Sequence, residues 1–377
     1  MGMRICFVAL NAYPTLAGEG EIRVGGAEVQ QCLIGKHLAR RGHQVSFITR
    51  DHGQPDAVTI DGITVHKTYR QEDGIRYLRF FHPRITSIWR ALRRADADVY
   101  YQRCAGMTTG LLALFCRRHG RKFVFASASD ADLDPHRVII TNARDYQFFN
   151  YGLRKADAVV TQTQTQLRLL RDNYGRDGEV IPNAWLEPDL GEDCGLPPGY
   201  VLWVSTLRSW KRPGLFVDLA ERMPGTRFVM VGGPAVGKAE EAVYEEIERR
   251  ARRLPNFHLE GFVPFPRVGG YFNGARVVVN TSEPSEGFPN AFLQAWRRGI
   301  PVLTYFDPDD IVKRFRLGAV VTGADEMPAA LASLLNDEQA RLEMQANIAA
   351  YFNAHHDMAM IGPRYERLFS DLAGKTG

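Results

Sequence analysis

The chain has 377 residues, of which 45% are hydrophobic and 24% are charged, a composition that is typical of folded globular proteins and argues against collagen-like or largely disordered chains. Its length predicts about two domains, and no apolar run approaches the roughly 18 residues of a membrane-spanning helix. The first predicted element is an apolar strand at 5–10, which is too short for the core of a signal peptide. Five dispersed cysteines without a C-x-x-C pair predict reduced thiols, so we expect a cytoplasmic protein.

Short apolar runs alternate with helix-length segments along the rest of the chain. Such runs predict buried strands of parallel sheets, and a weaker run at 62–66 predicts one arm of a hairpin. The remaining predicted strands are 45–49, 99–102, 123–126, 158–161, 201–205, 228–231, 258–261, 276–281, 302–305 and 319–321.

The two halves of the chain differ in charge and are separated by a linker-like stretch. Residues 1–185 carry a net charge of +8 and the remainder carries −4. A basic unit suits nucleic acid, an anionic membrane or a phosphorylated substrate, but the sequence has no nucleic-acid recognition motif. The sequence Ile-Pro-Asn at 181–183 precedes a stretch at 187–199 that is rich in Pro, Gly and acids, which is typical of a linker.

These patterns predict an α/β fold of two Rossmann-like, doubly wound domains that face each other across a cleft. We expect the first domain at 1–185 and the second at 195–355, with a C-terminal helix within 356–377 that packs back on the first domain. Ligands of such sheets bind beyond the carboxyl ends of the strands, so loops that follow strands hold the candidate site residues.

The strongest motif is S-E-G-F-P-N-A-F-L-Q at 285–294, directly after a predicted strand. Pro289 suits the first turn of a helix, whose free N–H groups would attract a phosphate. Glu286 would accept hydrogen bonds from sugar hydroxyls, and Gln294, about two turns further on, would project on roughly the same side. The alternative is a plain turn with a solvated glutamate. The other binding candidates of this motif are Gly287, Phe288 and Asn290.

A basic loop, T-L-R-S-W-K-R-P at 206–213, follows the first strand of the second half. Its cations Arg208, Lys211 and Arg212 could hold a diphosphate, although a solvated basic loop is the alternative. The segment 232–239 nearly matches a P-loop but lacks its hydroxyl residue, which favours a plain turn beside a nucleotide. Further binding candidates near these strand ends are Thr206, Gly232, Gly233, Phe262 and Val263.

In the first half, the sequence V-G-G-A-E at 24–28 opens a predicted helix. Gly25 and Gly26 would let a ligand approach the backbone closely, and Glu28 lies in the same turn; a flexible loop is the alternative. The sequence A-S-A-S-D ends at Asp130, a candidate near a second substrate. Acidic triplets at 130–134 and 307–309 could suggest a metal site, but solvated turns and helix caps are the favoured interpretation, so we predict no metal.

Together these motifs resemble the family-four retaining glycosyltransferases of the GT-B fold, the group 1 proteins of bacteria, over nearly the whole chain. The resemblance implies a UDP- or GDP-linked sugar donor held mostly by the second domain, a saccharide or lipid-linked acceptor held mostly by the first, and no cofactor or metal. The roles that it implies are donor-sugar contact by Glu286, neutralisation of the diphosphate by Arg208 and Lys211, closure over the donor by Gly25 and Gly26, and ribose contact by Gln294.

Three positions depart from the family's pattern. Gln294 stands where a second glutamate is usual, and an amide accepts at one atom but donates at the other. Ser-Thr-Leu at 205–207 replaces Gly-Arg-Leu, so Arg208 acts from a shifted place or the arginine's role is lost; no histidine precedes Asp130. We expect a hexosyltransferase of cell-surface polysaccharide or glycolipid synthesis. A catalytically impaired nucleotide-sugar-binding protein and a nucleotide-sugar epimerase remain the alternatives.

Residues 76–94 contain six arginines together with four aromatic side chains. If they form a helix, Ile85, Ile88, Trp89 and Leu92 share one face. A basic amphipathic helix of this kind can lie on an anionic membrane, which would place the protein at the inner face of the cell membrane. The alternative is an ordinary helix with its apolar face on the sheet and its arginines in water.

Overall fold

The computed structural model describes residues 2–18, 25–75, 78–186, 193–283 and 286–374. The chain divides into two compact units: unit 1 comprises Met1–Ala184 with Met358–Gly377, and unit 2 comprises Trp185–Asp357. The motif residues Val24 and Ser285 and the first part of the predicted linker, at 187–192, lie outside the described residues.

Unit 1 is built on one large sheet. Its strands are β1 (Arg4–Val8), β2 (Gln44–Thr49), β3 (Val58–Ile60), β4 (Ile63–Lys67), β5 (Val99–Arg103), β6 (Lys122–Ala126), β7 (Ala158–Thr161) and β8 (Glu179–Val180). Among the described residues the order of these eight strands is β3-β4-β2-β1-β5-β6-β7-β8. All pairs are parallel except β3 with β4, which confirms the predicted hairpin arm.

Helices cover both faces of this sheet, which explains the uninterrupted apolar runs of its central strands. The helices of this part of unit 1 are α1 (Tyr13–Ala17), α2 (Gly26–Arg40), α3 (Thr86–Ala95), α4 (Met107–His119), α5 (Ala143–Lys155) and α6 (Gln164–Tyr174). Every residue of β5 is buried, and β1 is buried from its second residue onward. The strand order reverses between β1 and β5, which defines the ligand-binding edge of the unit.

Unit 2 repeats this plan with a smaller sheet. Its strands are β9 (Tyr200–Val204), β10 (Phe228–Val231), β11 (Phe257–Gly261), β12 (Ala275–Asn280), β13 (Val302–Thr304) and β14 (Gly318–Val320). Its helices are α7 (Gly214–Arg222), α8 (Lys238–Ala251), α9 (Phe265–Asn273), α10 (Asn290–Trp296), α11 (Ile311–Arg314), α12 (Met327–Asn336) and α13 (Glu338–His355). In the described part of the unit the strands run parallel in the order β11-β10-β9-β12-β13-β14. The predicted fold class, two doubly wound α/β domains, is confirmed for each unit.

The C-terminal helix α14 (Met358–Ala373) belongs to unit 1. Its Phe369 ring lies 6.5 Å from the ring of Phe7 on β1, and its Glu366 carboxylate lies 3.1 Å from Nε of Arg41. Gly362 permits the close approach of this helix to α2, because a Cβ atom there would lie within 2.5 Å of the His37 ring. Ring contacts and ion pairs, which include that of Arg364 with Glu179 of β8 at 3.1 Å, therefore hold the end of the chain on the first sheet and on the end of α2.

Candidate active site

Two loops of unit 2 come together at the carboxyl edge of its sheet. One follows β9 and contains Lys211; the other follows β12 and contains Glu286. These strands are neighbours, and the strand order reverses between them. In open α/β sheets this reversal creates the crevice in which ligands bind. The two strongest sequence motifs therefore meet at the position where open α/β sheets generally bind their ligands.

An ion pair joins the two loops. Nζ of Lys211 contacts Oε1 of Glu286, and both side chains are largely buried, with 11% and 13% of their surface exposed. Nδ2 of Asn280, at the end of β12, lies 3.4 Å from the other carboxylate oxygen of Glu286. Burial lowers the pKa of Lys211 below its ordinary value, the charge and hydrogen bond of Glu286 oppose that shift, and the nearby charge of Arg208 adds to it. The site thus keeps a cation and a carboxylate in contact with little water around them.

The backbone of Lys211 is fixed by a buried hydroxyl group. Oγ1 of Thr281 donates to the carbonyl oxygen of Lys211 at 2.7 Å and accepts from Nε1 of Trp203 at 3.0 Å. The lysine ammonium also lies 4.3 Å from the centre of the Trp210 ring, a distance at which a cation is attracted to the ring face. The position of the lysine is therefore set by β9, β12 and its own loop.

Arg212 connects the two loops and is not a free diphosphate ligand, which corrects its grouping with Arg208 and Lys211. Its Nε donates to the carbonyl oxygen of Thr281 at 2.7 Å and its Nη2 to that of Ser282 at 3.0 Å. The guanidinium lies 4.6 Å from the centre of the Tyr305 ring. The planar fork of arginine thus satisfies two backbone acceptors of the loop that leads to Glu286.

We expect Arg212→Ala to destabilise the protein by about 2–4 kcal/mol, because two partly buried carbonyl groups lose their donors. Arg212→Lys should restore little of this, since an ammonium lacks the fork. The urea midpoint of unfolding measures the effect. Arg208→Ala is the matched control in the same loop: Arg208 is exposed, so its loss should change stability by no more than about 0.5 kcal/mol. Equal midpoints for the two alanine variants would contradict the connecting role.

The predicted glycine pair after β10 is required by packing. Gly232 has φ 152°, and a Cβ atom there would lie 1.8 Å from the carbonyl oxygen of Ser205. At Gly233 a Cβ atom would lie 2.9 Å from Cβ of Phe262, whose ring is exposed, whereas Val263 is buried. The carbonyl oxygen of Gly233 accepts from the N–H of Leu207 at 3.0 Å. The glycines therefore let this turn lie directly against the loop of Lys211.

Gly232→Ala is expected to destabilise unit 2 by about 1–3 kcal/mol, because the added methyl group overlaps backbone that cannot move freely. Thermal or urea unfolding tests this expectation. Gly225→Ala is the matched control, since nothing lies within 4 Å of a Cβ atom at that position. If both variants have the same unfolding midpoint as the unmodified protein, close packing at Gly232 does not explain the need for glycine there.

The helix after Glu286 starts later than the sequence suggested. Helix α10 begins at Asn290 and has seven residues, so Pro289 is its N-cap residue and not part of its first turn. Glu286 thus precedes the helix by four residues, and the argument that Gln294 projects on its side after two helical turns is wrong. Gln294 is buried on α10. Gly287, with φ 83°, makes the turn between the carboxylate and the helix.

An aromatic cluster packs against Phe288, in the loop that contains Glu286. The Phe288 ring lies 5.0 Å from the His356 ring and 5.9 Å from the Trp296 ring, and the Trp296 ring lies 5.6 Å from the Tyr351 ring. His356, which caps the C-terminus of α13, is buried. Because 68 positions separate His356 from Phe288, no local pattern in the sequence indicates this contact.

In unit 1, the predicted glycines open a helix at the carboxyl side of β1. Gly25 is the N-cap residue of α2 and Gly26 its first residue, as the sequence indicated. Glu28 lies in the first turn, where a negative charge is favoured by the helix dipole, and its Oε1 is 3.5 Å from Nδ2 of Asn11. These residues are placed at the binding edge of the first sheet.

Asp130 follows β6 in a short 3-10 helix, Asp130–Leu133. Its Oδ1 accepts from Nε2 of Gln166 at 3.0 Å, and Oε1 of Gln166 accepts from Oγ of Ser127 at 2.6 Å. Asp132 instead accepts from three backbone N–H groups, while burial raises its pKa. Asp130 is therefore oriented by a buried amide, and Asp132 has a structural role.

In the acidic triplet at 307–309, Asp307 has a structural role. The Asp307 carboxylate accepts from the backbone N–H groups of Val312 and Lys313 at 2.7 and 2.9 Å, and burial raises its pKa. Across the described residues, no group of three or more His, Cys, Asp or Glu side chains is placed to hold a metal ion.

Fold and site together define a GT-B protein with a buried Lys211–Glu286 ion pair at the strand reversal of the second unit. A family model described as "Glycosyl transferase 4-like domain" matches residues 25–184, and one described as "Glycosyl transferases group 1" matches residues 198–337. The two matches account for most of the chain. The chain therefore belongs to the family of glycosyltransferases that combines these two domains. None of the curated proteins matches it.

Solved structures share this fold over almost the whole chain. A sucrose-phosphate synthase from Thermosynechococcus elongatus has a TM-score of 0.78 at 16% identity, with 98% of this chain and 99% of that chain covered. Anabaena HepE, in complex with UDP and glucose, has a TM-score of 0.74 at 18% identity, with 98% of this chain and 99% of that chain covered. The catalytic domain of starch synthase IV from Arabidopsis thaliana, bound to ADP and acarbose, has a TM-score of 0.71 at 15% identity, with 99% of this chain and 100% of that chain covered.

Proposed function

We propose that this protein is a retaining glycosyltransferase that moves a hexose from a UDP- or GDP-linked donor to a saccharide or lipid-linked acceptor. The observation that carries the proposal is the buried contact between Lys211 and Glu286 at the strand reversal of unit 2. A cation can neutralise the diphosphate of a nucleotide sugar, and a carboxylate beside it can accept hydrogen bonds from the sugar hydroxyls.

The reaction displaces a nucleoside diphosphate from the anomeric carbon, so negative charge grows on the departing phosphate oxygen. Preorganised cations stabilise such charge most effectively where water is excluded; Lys211 supplies this group, and Arg208 adds a second positive charge nearby. When the diphosphate engages Lys211, Glu286 is released to accept hydrogen bonds from the sugar. In a retaining, front-face reaction the departing phosphate oxygen takes the proton of the acceptor hydroxyl, and no protein nucleophile is needed.

Structures of similar proteins support a nucleotide-sugar donor: HepE was solved with UDP-glucose and with UDP and glucose, and starch synthase IV with ADP and acarbose. Because the diphosphate charge can be met by side chains, we further propose that transfer needs no metal. A role in cell-surface polysaccharide or glycolipid synthesis, on the cytoplasmic side of the membrane, would suit the basic first unit.

A thermal-shift panel of nucleoside diphosphates and nucleotide sugars tests the donor class. A ligand that binds only the folded state adds about 2.7 kcal/mol of stability at a hundredfold excess over its Kd, so a response to UDP or to GDP alone identifies the base. Transfer is then measured with and without EDTA and with the anomeric configuration of the product recorded. Nucleotide binding without any transfer would favour a catalytically impaired binding protein. Conversion of the donor in the absence of an acceptor would favour an epimerase. No response to any nucleotide would refute the proposal.

A further inference from the structure

Helix α3 is not the membrane-facing element that the arginine-rich sequence at 76–94 suggested. Ile88, Ala91 and Leu92 are buried in the core of unit 1, and Ile85 and Trp89 pack against the same core. The apolar face of this helix is therefore covered by protein. Any contact with a partner has to involve the residues before the helix or the arginines on its outer side.

Three large apolar side chains just before the helix are exposed. Ile75, Leu78 and Phe81 expose 70%, 59% and 62% of their surface. The N–H of Leu78 donates to the carbonyl oxygen of Ile75 at 2.9 Å, and that of Phe81 donates to Leu78 at 2.9 Å. These three exposed side chains, spaced three residues apart in the sequence, are here called the apolar edge.

Buried contacts hold the apolar edge in place on unit 1. Phe80, between two exposed neighbours, is buried and packs edge-to-face against Phe148 of α5 at 6.3 Å. The guanidinium of Arg144 lies 3.3 Å from the centre of the Phe80 ring. One aromatic side chain thus anchors the segment while its neighbours remain in water, which costs hydration free energy unless a partner covers them.

The sequence that follows Gly74 is basic, whereas the acidic residues Glu72 and Asp73 precede the apolar edge. From Gly74 to Ala95 the chain has six arginines and no aspartate or glutamate. Arg79, Arg90 and Arg93 are exposed. Apolar side chains flanked by arginines match the two layers of an anionic bilayer surface, its acyl boundary and its phosphate headgroups.

We propose that the apolar edge inserts into the surface of an anionic membrane and that Arg79, Arg90 and Arg93 bind its headgroup phosphates. This contact is peripheral: no helix in the described ranges is long and apolar enough to cross a bilayer. The inference goes beyond the transfer reaction, since it rests on unit 1 alone and stands whatever donor unit 2 binds.

Co-sedimentation of the full chain with vesicles tests the proposal. We expect binding to vesicles of phosphatidylcholine with phosphatidylglycerol, weaker binding to phosphatidylcholine alone, and a decline as NaCl is raised. Leu78→Ser with Phe81→Ser should reduce the partition coefficient by about tenfold or more. Each of Arg79→Gln, Arg90→Gln and Arg93→Gln should reduce it by about fivefold at low salt.

Leu342→Ser is the matched control, because Leu342 is 50% exposed on α13 of unit 2; it should bind vesicles as the unmodified protein does. The melting temperature of each variant, and its thermal shift with the nucleotide that the panel described above identifies, show independently of lipid that the variant is folded. The proposal is overturned if anionic vesicles fail to bind the protein, or if the variant with Leu78→Ser and Phe81→Ser binds them as strongly as the unmodified protein does. Binding to an acidic protein without binding to anionic vesicles would also overturn it.

Discussion

Replacing Glu286 by glutamine should reduce sugar transfer by about a thousandfold, the effect of removing one preorganised contact to the reacting group. The same change should leave nucleoside diphosphate affinity intact or increase it, because the amide no longer competes as an anion for Lys211. Initial rates of transfer and a calorimetric titration with UDP or GDP measure the two effects separately.

Glu283→Gln provides the matched control for this experiment. Glu283 lies in the same loop and is exposed. Its backbone N–H donates to the carbonyl oxygen of Trp210 at 3.0 Å, and its carbonyl oxygen accepts from the N–H of Glu286 at 3.2 Å. Its side chain should therefore be dispensable for transfer. Unchanged transfer by Glu286→Gln would remove this carboxylate from the mechanism, and a parallel loss of nucleotide binding would show that it serves the fold of the loop instead.

The sheets were largely predictable because their strands are buried on both faces. A continuous apolar run such as 228–231 is typical of a buried parallel strand, and it coincides with β10. Two elements that sequence reasoning missed are short: β8 has two residues and α1 has five. Neither is long enough for a period of two or 3.6 residues to become visible.

The candidate site was predictable as a set of residues but not as an arrangement. Lys211 and Glu286 were identified from their positions after strands, yet 75 residues separate them. Their contact depends on β9 lying beside β12, a pairing that no local pattern encodes. Arg212 shows the opposite error: a cation in a basic loop suggested a ligand for phosphate, whereas its partners are backbone carbonyl groups that a sequence does not display.

Lys211→Gln is expected to weaken binding of the nucleoside diphosphate by about a hundredfold or more, the usual cost of removing one partner of a buried charge pair. The variant loses a cation and also leaves the Glu286 carboxylate unpaired beside an anionic ligand. Adding Glu286→Gln to Lys211→Gln should therefore recover part of the affinity. Titration of all four proteins in a double-mutant cycle measures the coupling between the two side chains, expected to be about 0.5–3 kcal/mol. Wild-type affinity in Lys211→Gln would contradict a diphosphate site at this lysine.

The pH dependence of binding gives the same lysine a second signature. Because burial lowers the pKa of Lys211 below the ordinary 10.5, its ammonium loses the proton at a lower pH than an exposed lysine does. An anion binds the protonated form, so diphosphate affinity should be complete well below the lowered pKa and should decline as the pH rises through it. Lys211→Gln, which has no proton to lose, should be weaker throughout and should lack this decline. If both proteins lose affinity in parallel as the pH is raised, another group is responsible, and the ammonium of Lys211 does not hold the diphosphate.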